Sequence, residues 1–138
     1  MSRQATHDAL TGLINRTEFD QRLARILETT RTSQNESALC YLDLDQFKVV
    51  NDTCGHGAGD ELLRQLTQLL SATVRKRDTL ARLGGDEFGV LMEQCTLTQA
   101  TRVANKVRRA VADFRFVWQE QAFRIGVSIG LVPVTEAS

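Results

Sequence analysis

The feature that most restricts the fold is a pair of adjacent glycines between two short apolar runs. Gly84 and Gly85 are followed by Asp86, with one run over 79–83 and the other over 87–92. Glycine adopts the positive φ angles that tight hairpin turns require. The pattern therefore predicts a β-hairpin whose two strands are antiparallel.

The segments around this hairpin predict the rest of the sheet and its helices. Residues 38–42 form a short apolar run, which is typical of a buried central strand. Apolar residues recur at helical spacing over 59–75 and over 98–113. The polar segment 51–59 contains three glycines and predicts a loop.

A further helix is predicted to begin near Asn15. Asn15 can cap it, Glu18 follows three residues later, and Ile14 can pack on Phe19. The polar stretch 29–37 is expected to end this helix.

The last part of the chain predicts a short strand over 114–118, a turn at 119–121 and a long strand over 122–132. Apolar residues alternate along that final strand, which places them on one face. The complete order is a helix followed by β-α-β-β-α-β, with one extra hairpin strand. This split β-α-β order predicts an α+β domain with a mainly antiparallel, ferredoxin-like sheet flanked by helices.

Composition restricts the class of partner. The 17 basic and 17 acidic residues balance to a net charge of zero, so no long-range attraction to nucleic acid or to an anionic membrane is expected. A local site can still bind a small polyanion such as a nucleotide. The three scattered cysteines argue against a disulfide framework and for a reducing, cytoplasmic location. Cys54 and His56 alone do not complete a zinc site.

Acidic residues stand where two central strands are expected to end. Asp43 follows the first apolar run and Asp86 lies in the hairpin turn, with Asp45 and Glu87 close by. Two carboxylates at neighbouring strand ends, together with a backbone carbonyl, form a hard oxygen site that suits Mg²⁺. The alternative for each acid taken alone is a solvated turn residue.

The glycine pair beside these acids strengthens the hypothesis of a ligand site. Without side chains, Gly84 and Gly85 let a ligand approach the backbone, and their N–H groups could contact phosphate oxygens. The alternative is a tight turn that binds nothing.

Other polar residues could complete a nucleotide site. Lys48 can supply a positive charge to a triphosphate, and Asn51 and Asp60 can pair with the edge of guanine. Arg75 and Asp78 form an Arg-x-x-Asp pattern whose guanidinium can grip phosphate or guanine. A surface lysine, a turn asparagine and a helix-start aspartate are the ordinary alternatives.

Taken together, several spaced motifs resemble the GGDEF domain of diguanylate cyclases. Residues 84–88 spell GGDEF, residues 8–16 resemble the opening D-x-L-T-G-L-x-N-R, and residues 126–130 resemble a late strand. Residues 43–60 resemble the segment D-x-D-x-F-K-x-x-N-D-x-x-G-H-x-x-G-D. The resemblance extends from about Asp8 to Leu131, nearly the whole chain.

The resemblance implies an enzyme that condenses two GTP into cyclic di-GMP and two pyrophosphates. The fold would be similar to nucleotide cyclase and polymerase palm domains, and two GGDEF domains would meet as a homodimer. A covalently linked sensor domain and an EAL phosphodiesterase domain are further expected neighbours. Residues 1–138 would form one GGDEF domain that stops before the family's last strand and helix. The alternative is a non-catalytic module that binds GTP or cyclic di-GMP and regulates an attached domain such as an EAL phosphodiesterase.

The resemblance also implies a role for each site residue. Asp43, the Leu44 carbonyl and Asp86 would hold Mg²⁺, with Mn²⁺ as a possible substitute, and Glu87 would serve as a further ligand or general base.

The remaining implied roles concern the nucleotides. Gly84 and Gly85 would line the phosphates, and Lys48 would stabilise the charge of the transition state. The residues that would bind guanine are Asn51 and Asp60, with His56 nearby. Arg75 and Asp78 would bind cyclic di-GMP as an inhibitor.

Overall fold

The computed structural model describes residues 5–135, so the outermost residues of the expected 1–138 domain lie outside the described part. Its helices are α1 Arg16–Ser33, α2 Phe47–Cys54, α3 His56–Thr73 and α4 Leu97–Asp113. Its strands are β1 Ser37–Leu44, β2 Thr79–Gly84, β3 Glu87–Met92, β4 Arg115–Trp118, β5 Gln121–Arg124 and β6 Val127–Val134.

The main sheet has four strands in the order β2-β3-β1-β6, and β4 and β5 form a separate two-stranded sheet. Every pairing in the main sheet is antiparallel. β1 lies between β3 and β6, which is the central place predicted for its apolar run. The predicted α+β, ferredoxin-like architecture is confirmed.

The two faces of the sheet carry different helices. On one face, Leu42 and Leu44 of β1 join the larger core cluster with α3 and α4, in which Leu62, Leu66 and Val107 are buried. On the other face, α1 packs through a smaller cluster whose buried members are Ile14, Phe19, Ile26, Leu39, Ala81, Leu83, Leu91 and Val134. Because each fully buried aliphatic side chain contributes about 1.5–3 kcal/mol, the larger cluster supplies most of the hydrophobic stabilisation.

Glycines determine the shape of the sheet face that carries α1. A Cβ atom at Gly89 of β3 would lie 2.7 Å from Cζ of Phe19, so α1 can approach this closely only because position 89 has no side chain. Tyr41 of β1 is paired with Gly89 on one side and with Gly130 of β6 on the other. The residues paired with Tyr41 in both neighbouring strands therefore have no side chain.

The helix beginning predicted at Asn15 is confirmed. The Asn15 side chain accepts a hydrogen bond from the Glu18 backbone N–H at 3.0 Å, which satisfies one of the free donors of the first turn. α1 ends at Ser33, where Gln34 takes a left-handed conformation with φ 60°. The helix therefore ends within the polar stretch 29–37, as predicted.

The loop predicted over 51–59 is wrong. α2 continues to Cys54, α3 begins at His56, and only Gly55, with φ 93°, separates the two helices. Val50 and Ala58 are completely buried at this corner. Tertiary burial here overrides the poor helix propensity of the glycines.

The single long strand predicted over 122–132 is also wrong. The chain forms β5 up to Arg124 and β6 from Val127, with a break at Gly126. The Gly126 carbonyl accepts a hydrogen bond from the Asp45 N–H at 3.0 Å. A Cβ at Gly126 would lie 2.9 Å from Oδ2 of Asp45. This close approach is possible because residue 126 is a glycine, and the two strands then join different sheets.

Candidate active site

The expected acidic residues converge at one end of the two central strands. In the β1–β3 register, Asp43 lies opposite Glu87, and Asp86 occupies the turn just before β3. The Leu44 N–H donates a hydrogen bond to the Asp86 carbonyl at 3.2 Å. Antiparallel pairing of distant segments thus brings these residues together, and the backbone of β1 holds the turn.

The electrostatics of Asp86 show that negative charge is concentrated here. Burial raises the pKa of Asp86 above its ordinary value. The charge of Asp43, then the charge of Glu87 and a hydrogen bond with Asp43, raise this pKa further. A carboxyl group in such surroundings favours a proton or a cation nearby. The arrangement therefore fits a divalent metal ion.

The same residues would provide only part of a metal's coordination shell. Within residues 5–135, no three carboxylate, imidazole or thiol groups are grouped closely enough to form a complete metal site. Mg²⁺ is commonly held by one or two carboxylates, with water and substrate phosphates as the other ligands. A pair of aspartates suits that mode of binding.

A cavity of about 290 Å³ opens beside the carboxylates of Asp43 and Glu87. Strands β1, β3 and β6 line it, and Asp43, Glu87 and Tyr41 are among its residues, together with Ser128 and Gly130. It approaches the lower end of the roughly 300–1,000 Å³ typical of small-molecule pockets. The acidic groups therefore border a space that can hold part of a ligand.

The turn next to the cavity has an open backbone. Gly84 and Gly85 have φ angles of 149° and 49°, so the prediction of positive φ at this hairpin is confirmed. Apart from the adjoining residues of the chain, no described atom lies within 4 Å of the position that a Cβ would occupy at either residue. A ligand can therefore reach the backbone of the turn.

Two residues that support this turn were missed in the sequence. Arg82 donates to the Gly85 carbonyl from Nε at 3.1 Å and from Nη2 at 2.9 Å. Its Nη1 donates to both carboxylate oxygens of Asp8, at 3.2 and 3.3 Å. In the sequence, the only indication of this support was that Arg82 is a charged residue inside an otherwise apolar strand.

The residues considered for guanine lie at the corner between α2 and α3. Oδ1 of Asn51 is buried without a hydrogen-bond partner, and a methyl group at Gly59 would overlap it. His56 and Asp60 are exposed in the first turns of α3. The structure thus places an unsatisfied acceptor of α2 against the first turns of α3.

Two other polar residues near the carboxylates differ in their contacts. Lys48 is exposed in the first turn of α2, and it forms no ion pair with any other residue of the described chain. Asp45 instead accepts a hydrogen bond from Ser128 Oγ at 2.8 Å. Asp45 therefore joins the end of β1 to β6.

Arg75 and Asp78 form a separate group before the start of β2. Asp78 accepts from the Arg75 N–H at 2.8 Å and from Arg75 Nε at 2.9 Å, and Arg75 Nη2 donates to the Glu93 carbonyl at 3.1 Å. The hydrogen bond to Asp78 raises the pKa of Arg75. This pair lies at the opposite end of β2 from the glycine turn.

The family model described as "Diguanylate cyclase, GGDEF domain" matches residues 5–138 of this chain. The chain belongs to the GGDEF domain family. Its sequence is 43% identical over 136 residues to the probable diguanylate cyclase DgcE of Escherichia coli, covering 99% of this chain and 12% of that protein.

Further relatives of this GGDEF domain include a bifunctional protein and a ligand complex. The chain is 39% identical over 127 residues to the bifunctional diguanylate cyclase/cyclic di-GMP phosphodiesterase MucR of Pseudomonas aeruginosa, covering 92% of this chain and 18% of MucR. The crystal structure of the DgcB GGDEF domain of Caulobacter crescentus in complex with c-di-GMP matches with a TM-score of 0.92 and 28% identity, covering 100% of this chain and 82% of that one.

This GGDEF domain corresponds to a small part of its curated relatives, since it spans less than a fifth of DgcE and of MucR. Among residues 5–135, none of the helices has the length and apolar character needed to cross a membrane.

Proposed function

We propose that this GGDEF domain is a diguanylate cyclase, which converts two GTP into cyclic di-GMP and two pyrophosphates. The observation that carries the proposal is the close approach of Asp43 and Asp86 beside an open glycine turn. Burial and the neighbouring charge of Asp43 raise the pKa of Asp86. Two carboxylates held together in this way favour binding of a divalent cation and its nucleotide.

The residues suited to hold Mg²⁺ or Mn²⁺ are Asp43, Asp86 and the Leu44 carbonyl. When bound, the ion supplies neutralisation of phosphate charge and activation of a hydroxyl group. Glu87 borders the same cavity. We assign it as a further ligand or as the base that accepts the proton of the attacking hydroxyl.

The remaining groups at this end of the sheet would position the triphosphate. The N–H groups of Gly84 and Gly85 can donate to phosphate oxygens, and Lys48 can place its ammonium group near the charge that develops in the transition state. In each half-reaction the 3′-oxygen forms a bond to an α-phosphorus, and the bond from that phosphorus to pyrophosphate breaks.

A second copy of the domain is part of the proposal. The product contains two equivalent linkages, each made by the hydroxyl of one nucleotide and the phosphate of the other. A homodimer in which each domain holds one GTP presents the two nucleotides symmetrically. Catalysis would therefore take place across the interface.

We assign Asn51, Asp60 and the nearby His56 to recognition of guanine. The side-chain amide of Asn51 can both donate and accept at the guanine edge, and a carboxylate such as that of Asp60 can accept from two adjacent N–H donors. Asn51 of α2 and Asp60 of α3 lie on either side of the corner at Gly55.

Cyclic di-GMP is also proposed to bind at Arg75 and Asp78 and to inhibit the enzyme. This pair is distant along β2 from the carboxylates, so product bound there would act without occupying the substrate site. Support comes from the Arg75 guanidinium, which is 28% exposed and can form paired hydrogen bonds to phosphate or guanine.

A second candidate is a regulatory module that binds GTP or cyclic di-GMP without turnover. It is favoured by the match to a short part of MucR, a bifunctional diguanylate cyclase/cyclic di-GMP phosphodiesterase. In such a protein the GGDEF domain would act through a linked EAL phosphodiesterase domain.

The test is turnover of GTP by the full-length protein with Mg²⁺, followed by chromatography of the product. We expect cyclic di-GMP from the unaltered protein, and a rate at least roughly 10²-fold lower for Asp86→Asn, because a preorganised charged group is lost. Asp20→Asn, an exposed change on α1, is the control and should retain the rate.

Calorimetry with GTP separates the two candidates. Heat of binding without any cyclic di-GMP would favour the regulatory module. A normal rate for Asp86→Asn would contradict the assigned metal site.

A further inference from the structure

We propose that Asp8 and Arg82 are positioning residues, which hold the glycine turn so that Asp86 stays beside Asp43. The part of this inference that is tested by turnover rests on the proposed cyclase function. Its structural part, the fixing of the turn, can be measured independently of activity.

The turn is held by hydrogen bonds from two directions. The Gly85 carbonyl accepts two hydrogen bonds from the Arg82 guanidinium, and the next carbonyl, that of Asp86, accepts one from the Leu44 N–H of β1. A guanidinium is planar and rigid, so paired donation fixes orientation as well as distance. Arg82 and Leu44 together therefore determine where residue 86 lies.

Arg82 is itself fixed by the segment that precedes α1. Its Nη1 contacts Asp8, and its backbone N–H donates to the Ile14 carbonyl at 3.0 Å. Asp8 in turn accepts hydrogen bonds from Thr11, at 2.9 Å from the N–H and 2.8 Å from Oγ1. The Arg82 and Asp8 side chains are only 16% and 22% exposed. The guanidinium thus points at Gly85 because a distant loop holds it there.

The turn needs such support for two reasons. Gly84 and Gly85 are conformationally free, and no side chain packs over the positions that their Cβ atoms would occupy. In addition, repulsion between the carboxylates of Asp43 and Asp86 favours movement of the turn away from β1. The hydrogen bonds from Arg82 oppose both effects.

The expected consequence is a loss of turnover with a smaller change in substrate affinity. Displacement of a reacting group by about 1 Å can cost roughly 10²-fold in rate, so we expect Arg82→Ala to lower kcat by about 10–100-fold. The Mg²⁺ concentration for half-maximal rate should rise, whereas KM for GTP at saturating Mg²⁺ should change less. Arg82→Lys, which has no planar fork, should recover part of the loss.

The experiment uses the full-length protein for kinetics, with Arg82→Ala, Arg82→Lys and Asp8→Asn as variants. The matched control is Arg31→Ala, which removes an exposed ion pair with Glu28 at the far end of α1. Amide hydrogen exchange is measured on the same variants. We expect faster exchange of the Leu44 N–H in Arg82→Ala, and unchanged exchange in α4.

Unchanged kcat, or unchanged exchange at Leu44, in a folded Arg82→Ala variant would overturn the proposal. Equal acceleration of exchange throughout the chain would also overturn it, since it would show a general effect on stability. If the unaltered protein makes no cyclic di-GMP, the proposed function fails, but the exchange result still decides whether Arg82 fixes the turn.

Discussion

Two arginine–aspartate pairs lie near opposite ends of strand β2, and they differ in the segments that they connect. Arg75 and Asp78, before the strand, are three residues apart and close a small loop. Arg82 and Asp8 are 74 residues apart in the chain, and they join the segment before α1 to the glycine turn. The same chemical pair thus serves as a self-contained local unit in one place and as a connection between distant segments in the other.

The environments of the two aspartates explain this difference. The Asp78 side chain is completely buried and receives both backbone and side-chain donors of a single residue, Arg75. Asp8 is partly exposed and divides its hydrogen bonds between Thr11 and Arg82. We expect the first pair to matter most for folding and the second for placing the turn.

The largest expected effect on stability is that of Asp78→Ala. Removal of this carboxylate leaves the Arg75 N–H and part of its guanidinium without a partner, which should cost about 3 kcal/mol. In urea unfolding, this loss of unfolding free energy appears as a lower midpoint with an unchanged slope. Asp20→Ala, which breaks an exposed pair on α1, should cost under about 0.5 kcal/mol.

A loss of unfolding free energy below about 1 kcal/mol for Asp78→Ala, near the net value of one ordinary hydrogen bond, would contradict the folding role given to the Arg75–Asp78 pair. The local pair would then contribute no more to folding than a partly exposed one.

The next effect concerns binding of cyclic di-GMP. We expect Arg75→Ala to weaken this binding by about 10–100-fold, because charge-assisted hydrogen bonds are lost, while initial rates remain near those of the unaltered protein. Arg75→Lys keeps the charge and partly protects buried Asp78, so it separates ligand binding from stability. Calorimetry with cyclic di-GMP, beside inhibition curves, measures both.

Arg82→Ala provides the contrasting variant in that experiment. It should retain affinity for cyclic di-GMP, since Arg82 lies at the other end of β2. Unchanged inhibition in both Arg75 variants would remove the proposed inhibitory role.

The smallest effect is the pH dependence contributed by Asp8. Burial alone would raise the pKa of Asp8, but hydrogen bonds from Thr11 and the charge of Arg82 outweigh it and lower this pKa below its ordinary value. A lowered pKa means that the stabilisation is present above the ordinary carboxyl pKa and is lost as pH falls through the folded-state pKa.

The melting temperatures of the unaltered protein and of Asp8→Asn should therefore differ at neutral pH and converge in acid. The pH dependence contributed by Asp86 has the opposite sign. Because its pKa is raised, its contribution to the stability of the fold is present in acid and declines as pH rises. A gap between the two melting curves that widens toward acid would contradict the role given to Asp8.

Much of the fold could be predicted because its signals are local. Asn15 caps a helix through a residue three positions away, and the adjacent glycines at 84 and 85 predict the hairpin turn. The convergence of Asp43 with Asp86 followed from the split β-α-β order, since that order makes their strands neighbours.

The errors arose where distant contacts override local preference. Glycines around position 57 suggested a loop, yet burial of Val50 and Ala58 forms two helices there. Gly126 divides the final strand because the Asp45 backbone contacts it. The partnership of Arg82 with Asp8 has no signal in sequence spacing at all, because only the folded sheet brings the two residues together.

The glycines on either side of Tyr41 have different consequences for mutational tolerance. Alanine at Gly130 meets no atom within 4 Å, whereas alanine at Gly89 would collide with the Phe19 ring. A methyl group there has to lift α1 from the sheet or displace the ring. A library randomised at both positions should accept small residues at 130 and select glycine at 89. The hydrogen that serves as the side chain of Gly89 therefore sets the spacing between α1 and the sheet.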